Sequence, residues 1–181
     1  MGPNLHYLKG MKLIAQLQLK PTPEQSQALK ETLEVANAAC DYLSELAWDT
    51  QTFGQFALHK IGYNGTRERF NLSSQVIVRS VSKVADAYKL DKKTKRTFKP
   101  LGAISYDDRI LTYQLDKRQV SIWTTAGRIK IPFVCGQHQA ALLQTRQGES
   151  DLLFGQRQIL PFGDVQRGRC ADRHRGRRSR D

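Results

Sequence analysis

The sequence predicts an α+β fold: a small antiparallel β-barrel split in the chain by a helical insertion and followed by a disordered C-terminal tail. Three observations predict it. Apolar and polar residues alternate near the start, apolar residues then recur every three or four positions, and alternation returns from about Ala103. Four segments follow: an extension over residues 1–10, a barrel from 11–20 plus 101–154, a helical lobe over 21–100, and a tail over 155–181.

The first strand rests on Leu13, Ala15, Leu17 and Leu19 alternating with Lys12, Gln16, Gln18 and Lys20. Met11 directly precedes it and reads as the natural start. Thr22-Pro23-Glu24-Gln25 then opens a helix: Thr22 caps, Pro23 suits the first turn because its missing N–H has no partner there anyway, and Gln25 completes a capping box. Leu29, Leu33, Ala36, Cys40, Leu43 and Ala47 form one stripe at spacings of three and four, running the helix to about Asp49. The stretch His59 to Arg69 is polar enough for a short helix and loop. Another helix starts near Leu72, with Asn71 as cap and Leu72, Val76 or Ile77, Val81, Val84 and Tyr88 on its apolar face.

From Ala103 the period shortens to two. Strands are predicted over 110–115, 120–124 and 128–133, separated by Asp116-Lys117 and Ala126-Gly127 turns, with further strands at 140–145 and 151–154. Closing them into a barrel removes exposed edges.

The tail is a different kind of sequence. Residues 155–181 carry eight Arg and no Lys, whereas residues 1–154 carry thirteen Lys and eight Arg. An out-of-frame reading of GC-rich coding DNA has this composition, and little apolar periodicity remains after Val165, so the tail is expected to be accidental and disordered. It contributes +5 of the formal net charge of +12, leaving +7 on the rest. A charge so far from neutrality favours a polyanionic partner, most simply nucleic acid, with a merely solvated basic surface as the equal alternative on charge alone.

Other classes are disfavoured. No apolar run approaches the roughly 20 residues that span a bilayer, and residues 1–10 lack a signal-peptide stretch, which predicts a soluble, cytoplasmic protein without membrane contact. Cys40, Cys135 and Cys170 are widely spaced, and His6, His59, His138 and His174 lack metal-ligand spacing, so neither a disulfide framework nor a zinc ribbon is expected. Cys40 reads as a small core residue.

Phosphate contacts need long cations, and Lys92, Lys93, Lys95, Arg96 and Lys99 place five in eight residues with Phe98 among them. Arg79 and Lys83 lie one helical turn apart, able to meet one backbone together or to form a solvated stripe. Arg128 and Lys130 alternate with Ile129 and Ile131, putting both cations on the face opposite the apolar one. Trp123 either stacks on a base or covers the barrel's end.

These segments carry a resemblance. Lys12-Leu13-Ile14-Ala15 leading into Leu19-Lys20-Pro21-Thr22-Pro23-Glu24-Gln25 and a long Leu/Ala helix resembles the N-terminus of the TnpB/OrfB transposon proteins, the family ancestral to type V CRISPR effectors. Val81 to Tyr88 is similar to that family's helix ending in Ala-Tyr or Ala-Phe before a basic segment. Ser105 to Arg109 and Gly127 to Phe133 resemble its following strands. The resemblance covers residues 11–154. It implies DNA and guide-type RNA as partners, the first and later strands forming one split barrel that holds the guide, and the helices forming a recognition lobe. Phe53, after Thr52 and beside Gly54, resembles an aromatic of that lobe, used for stacking or wedging, or is a plain core aromatic.

In the family a metal-dependent RuvC-type nuclease domain follows, opening on a Gly-Val-Asp-Leu-Gly type motif. Here the chain reads Gly155-Gln156-Arg157-Gln158-Ile159-Leu160-Pro161-Phe162-Gly163-Asp164-Val165. Pro161 and Gly163 disfavour the required central strand, so Asp164 is not taken as catalytic. The expectation is a truncated transposase that keeps its nucleic-acid-binding lobes without nuclease activity, metal or cofactor. The alternative is a free-standing RNA/DNA-binding regulatory module. Truncation would expose apolar surface around Leu152, Leu153 and Phe154.

Overall fold

A computed structural model describes residues 15–143, 149–154 and 159–162. The expectations for residues 1–14, for Cys170 and His174, for Asp164 and for the Arg-rich segment from Arg167 onwards lie outside the described residues. Strand β1 spans Ala15–Leu19 and is followed by three helices, α1 (Pro23–Asp49), α2 (Gln55–Arg69) and α3 (Ser74–Leu90). Strands β2 (Ile104–Tyr106), β3 (Leu111–Gln114), β4 (Gln119–Thr124) and β5 (Gly127–Val134) come next, then helix α4 (Gln137–Leu143) and strands β6 (Ser150–Leu152) and β7 (Ile159–Phe162). The α+β class is as predicted.

Helix α1 begins as its sequence dictates. The Thr22 hydroxyl accepts from the Gln25 N–H at 3.3 Å while Gln25 Oε1 accepts from the Thr22 N–H at 3.1 Å, a complete capping box. Leu29, Leu33, Ala36, Cys40, Leu43 and Ala47 are all fully buried. Each leucine sealed this way contributes about 1.5–3 kcal/mol of apolar burial. Cys40 is a core thiol, its acidity suppressed by burial to a pKa of about 11.

Two helical expectations are corrected. Residues 55–69 form one continuous helix rather than a short helix and loop. Helix α3 is capped by Ser73, whose hydroxyl accepts from the Val76 N–H at 3.4 Å, rather than by Asn71. Serine sits at the position from which its side chain reaches the third helical N–H, and Asn71 does not.

All strand pairs are antiparallel, in the order β2-β6-β7-β1-β5-β4-β3. The first strand lies inside a sheet made otherwise of late strands, pairing Leu19 with Phe133 of β5 and Leu17 with Leu160 of β7. The closed barrel is corrected to an open sheet: β2 and β3 share no ladder among the described residues. The two open edges are short, three and four residues, which limits the unpaired backbone they present, and Tyr113 Oη of β3 lies 2.9 Å from Ser150 Oγ of β6.

Further differences fall near the C-terminus. Residues 140–143 belong to helix α4, not to a strand, because the run Ala-Ala-Leu-Leu has no β-branched residue and favours helix; the Ala140 N–H bonds the Gly136 carbonyl at 3.0 Å. Residues 144 and 145 of that expected strand lie outside the described residues. The tail is not wholly irregular, since Ile159–Phe162 form β7 between β6 and β1 with Pro161 opposite Gln16. Proline withholds one ladder bond, which this short strand tolerates. Leu152 is buried and Phe154 half-buried against the core, so of the expected apolar exposure only Leu153 remains.

The buried apolar residues form one cluster, running from Leu17 and Phe133 on the sheet to Leu33, Val84 and Tyr88 on the helices. Helix α1 docks on the β4–β5 hairpin through Gln25 Nε2, which donates to the Lys130 carbonyl at 2.9 Å, and through Thr32, whose hydroxyl accepts from the Thr125 N–H at 3.0 Å. Among the described residues no helix is long and apolar enough to cross a membrane.

Candidate nucleic-acid interface

Beside its apolar stripe, α1 carries a polar one. Asn37, Asp41 and Ser44 follow at spacings of four and three, on one helical face with Glu45 next to them. Onto this stripe folds the segment 91–103, which has no regular secondary structure. Ser44 Oγ donates to the Arg96 carbonyl at 2.7 Å, Asp41 accepts from the Phe98 N–H at 2.8 Å, and Asn37 Nδ2 donates to the carbonyls of Pro100 (3.1 Å) and Gly102 (2.8 Å). The Tyr88 hydroxyl, 2.9 Å from Ser44 Oγ, also accepts from the Arg96 N–H at 3.3 Å. A basic loop is thereby held in one shape by part-buried bonds and an exposed one at Phe98.

Lys83 closes the same network. Its ammonium donates to Asn37 Oδ1 at 2.6 Å and to the Ala103 carbonyl at 2.8 Å, and lies 5.1 Å from the Phe98 ring centroid. Burial pulls its pKa below the ordinary lysine value. Gly102 suits a close approach here, since a Cβ would stand 3.0 Å from the Lys99 carbonyl and 3.1 Å from Asn37 Oδ1, tighter than side chains ordinarily pack.

The candidate residues separate into three groups. Phe53, Arg79 and Lys83 point inward. The Phe53 ring packs on Tyr88 at 4.6 Å between centroids, and Arg79 pairs with Asp107 at 3.2 Å and Glu149 at 2.5 Å, so neither it nor Lys83 is open to a phosphate. Lys95 and Arg96 are answered at the surface, by Glu45 at 2.9 Å and Asp91 at 3.0 Å. The hydrogen bond that Lys95 donates to Glu45 raises the Lys95 pKa, and the backbone N–H of Lys93 lowers that of Asp91.

Lys92, Lys93 and Lys99 form the third group with Arg128 and Lys130. All five are exposed and have no carboxylate partner among the described residues. Arg128 and Lys130 occupy the outer face of β5 while Ile131 and Phe133 are buried, as alternation predicts. Arg128 also reaches Ser121 Oγ (3.4 Å), and it lies opposite the half-buried Trp123. The loop and this strand contact opposite halves of α1. Lys130 is fixed near Gln25 and the loop near Asp41, a separation on the order of 25 Å at 1.5 Å per residue.

Sequence reasoning missed two residues. Arg69 stacks over the Tyr42 ring at 4.6 Å and lines an open cleft of about 580 Å³ with Glu31, Phe70 and Thr125. Phe56 is almost fully exposed at the start of α2. Its place in the helix shared by Leu58, Gly62 and Thr66 puts it off the buried face, a signal that needed α2 recognised as one helix.

No protein-family model matches the chain, and no curated protein matches it. Among the described residues no group of three His, Cys, Asp or Glu stands ready to hold a metal ion.

Proposed function

We propose that this chain binds nucleic acid through its unpaired cations, chiefly Lys92, Lys93 and Lys99, as the nucleic-acid-holding part of a TnpB/OrfB-type transposon protein. One observation carries the reading. The loop bearing these lysines is fixed by part-buried hydrogen bonds to Asn37, Ser44, Lys83 and Tyr88, yet the Lys92, Lys93 and Lys99 side chains are left exposed. Preordered cations bind a phosphate backbone without the entropic cost of arranging them. The reading is also supported by β1, which joins the late strands across the helical insertion, as the TnpB/OrfB resemblance implies.

Arg128 and Lys130 form a second contact. A partner touching both groups has to span on the order of 25 Å, about seven base pairs of duplex at 3.4 Å each. The activity is binding, with DNA and guide-type RNA as partners in the cytoplasm, and not cleavage by this chain.

The test is fluorescence anisotropy with labelled RNA and labelled duplex DNA over a salt series. Replacing Lys92, Lys93 and Lys99 together with Ala is expected to weaken binding and to reduce the salt slope by about two to three. Unchanged affinity and slope would make the loop a solvated linker and end the proposal. Mg²⁺-dependent cutting by the purified chain with a guide RNA would refute the non-cleaving part.

A further inference from the structure

The Phe53–Tyr88 contact joins the start of α2 to the end of α3. Near it in the chain stand the two most exposed large apolar residues among those described: Phe56, three positions after Phe53, is 92% exposed, and Leu90, two positions after Tyr88, is 88% exposed. The loop with Lys92 and Lys93 starts at this same end. Lys60, one turn beyond Phe56, is exposed with no partner among the described residues.

The charge here is positive on balance, with Asp49 outside any ion pair among the described residues. Asp86 is paired with Lys89 at 2.7 Å, Asp91 is held by Arg96 at 3.0 Å and by the Lys93 N–H at 2.7 Å, and Glu45 and Asp49 both bear on Lys95. Lys60, Lys92 and Lys93 are left uncompensated. An aromatic ring and an aliphatic edge standing in water among free ammonium groups fit a polyanion that also presents flat apolar faces. Single-stranded nucleic acid has that combination, whereas a duplex hides the faces of its bases.

We infer that Phe56 is a stacking platform for an unpaired base of a single strand, with Leu90 as its apolar edge and Lys92 and Lys93 on the flanking phosphates. This deepens the proposed nucleic-acid binding and rests on it. Phe53, which the sequence offered for stacking, has both its position and its ring committed to Tyr88.

An abasic strand separates bases from phosphates. Anisotropy is measured with labelled oligothymidylate and with an abasic oligonucleotide of equal length. The wild-type chain is expected to bind oligothymidylate about tenfold more tightly. Phe56→Ala should abolish that preference while leaving abasic affinity unchanged, and Phe56→Trp should retain it; circular dichroism confirms that both variants fold, as an exposed site allows. Equal wild-type affinity for the two strands overturns the inference, and if that shared binding is salt-dependent the proposed function survives. If neither strand binds, the inference falls, and the proposed function stands or falls on the RNA and duplex DNA titrations. Phosphatidylserine vesicles form the remaining arm: Phe56-dependent vesicle binding without any preference for bases would assign the patch to a lipid surface and overturn the inference too.

Discussion

Lys83 and Lys92 lie nine residues apart and do opposite things. Lys83 is turned into the seam between α1 and α3, where Asn37, the Ala103 carbonyl and the Phe98 ring surround its ammonium; Lys92 stands in water on the loop that this seam holds. The first cation organises, and the second is organised. A basic composition therefore does not measure a binding surface. Of the seven loop and helix cations singled out, the inward and paired ones set the shape in which the free ones are presented.

The sharpest way to break this comparison is Asn37→Ala. The change removes the Asn37 amide from the Pro100 and Gly102 carbonyls and from the Lys83 ammonium, which keeps the Ala103 carbonyl, and is expected to lower the unfolding free energy by about 2–4 kcal/mol in urea denaturation. A loss under about 0.5 kcal/mol would mean that water replaces the amide and the seam organises nothing.

Alkaline pH is the next lever, acting on the core beneath the seam. Burial raises the pKa of Cys40 from 9.0 to about 11 and of Tyr113 from 10.0 to about 12, and raises that of Tyr106 as well. Their contribution to stability is complete below about pH 9 and is lost as pH rises through 11 and 12, because the unfolded chain sheds these protons first. Lys83 acts with the opposite sign, since its lowered pKa makes the folded state's penalty relax as pH climbs toward 10.5. The three raised groups outnumber it. Tyrosinate absorbance from Tyr106 and Tyr113, assigned by comparison with Tyr106→Phe and Tyr113→Phe, should therefore lag in the folded protein and appear with unfolding; either of the two titrating near pH 10 while the chain stays folded would contradict its burial.

Tyr88→Phe is a milder probe. It removes a hydroxyl shared by Ser44 and the Arg96 N–H, for an expected cost of about 1 kcal/mol, and should loosen the loop enough to weaken nucleic-acid binding without touching a lysine. Weaker stability with unchanged binding would separate loop order from function. At the far end, Arg128→Ala with Lys130→Ala should leave the urea midpoint where it is and lower the salt slope by at most about two. A shift in the midpoint would show these residues to belong with the organising group.

Legibility in the sequence followed the range of the interactions. Helix α1 was readable with its capping box because every signal lies within a few residues, and β5 was readable because alternation puts Arg128 and Lys130 opposite Ile131 and Phe133. Helix α2 was misread because Gly62, Gly65 and the polar run from Tyr63 to Arg69 have weak helical propensity; its buried Leu58, Gly62 and Thr66 against neighbouring helices make up the difference. The strand expected at 140–145 failed where a short apolar run has no decisive period. Phe53 and Phe56 were indistinguishable by composition, and only the Tyr88 contact separates them.

By itself the sequence determined the α+β class, the capped first helix, the sheet's alternation and the excess of positive charge, all of which rest on neighbours within a turn or along a strand. Tertiary structure alone decided that β1 sits among the late strands in an open sheet, and which cations are free. The partners involved are far apart in the chain: Lys83 with Asn37, Arg79 with Glu149, Lys95 with Glu45. A side chain's charge is written in the sequence, but its neutralisation depends on groups that only folding brings within hydrogen-bond distance.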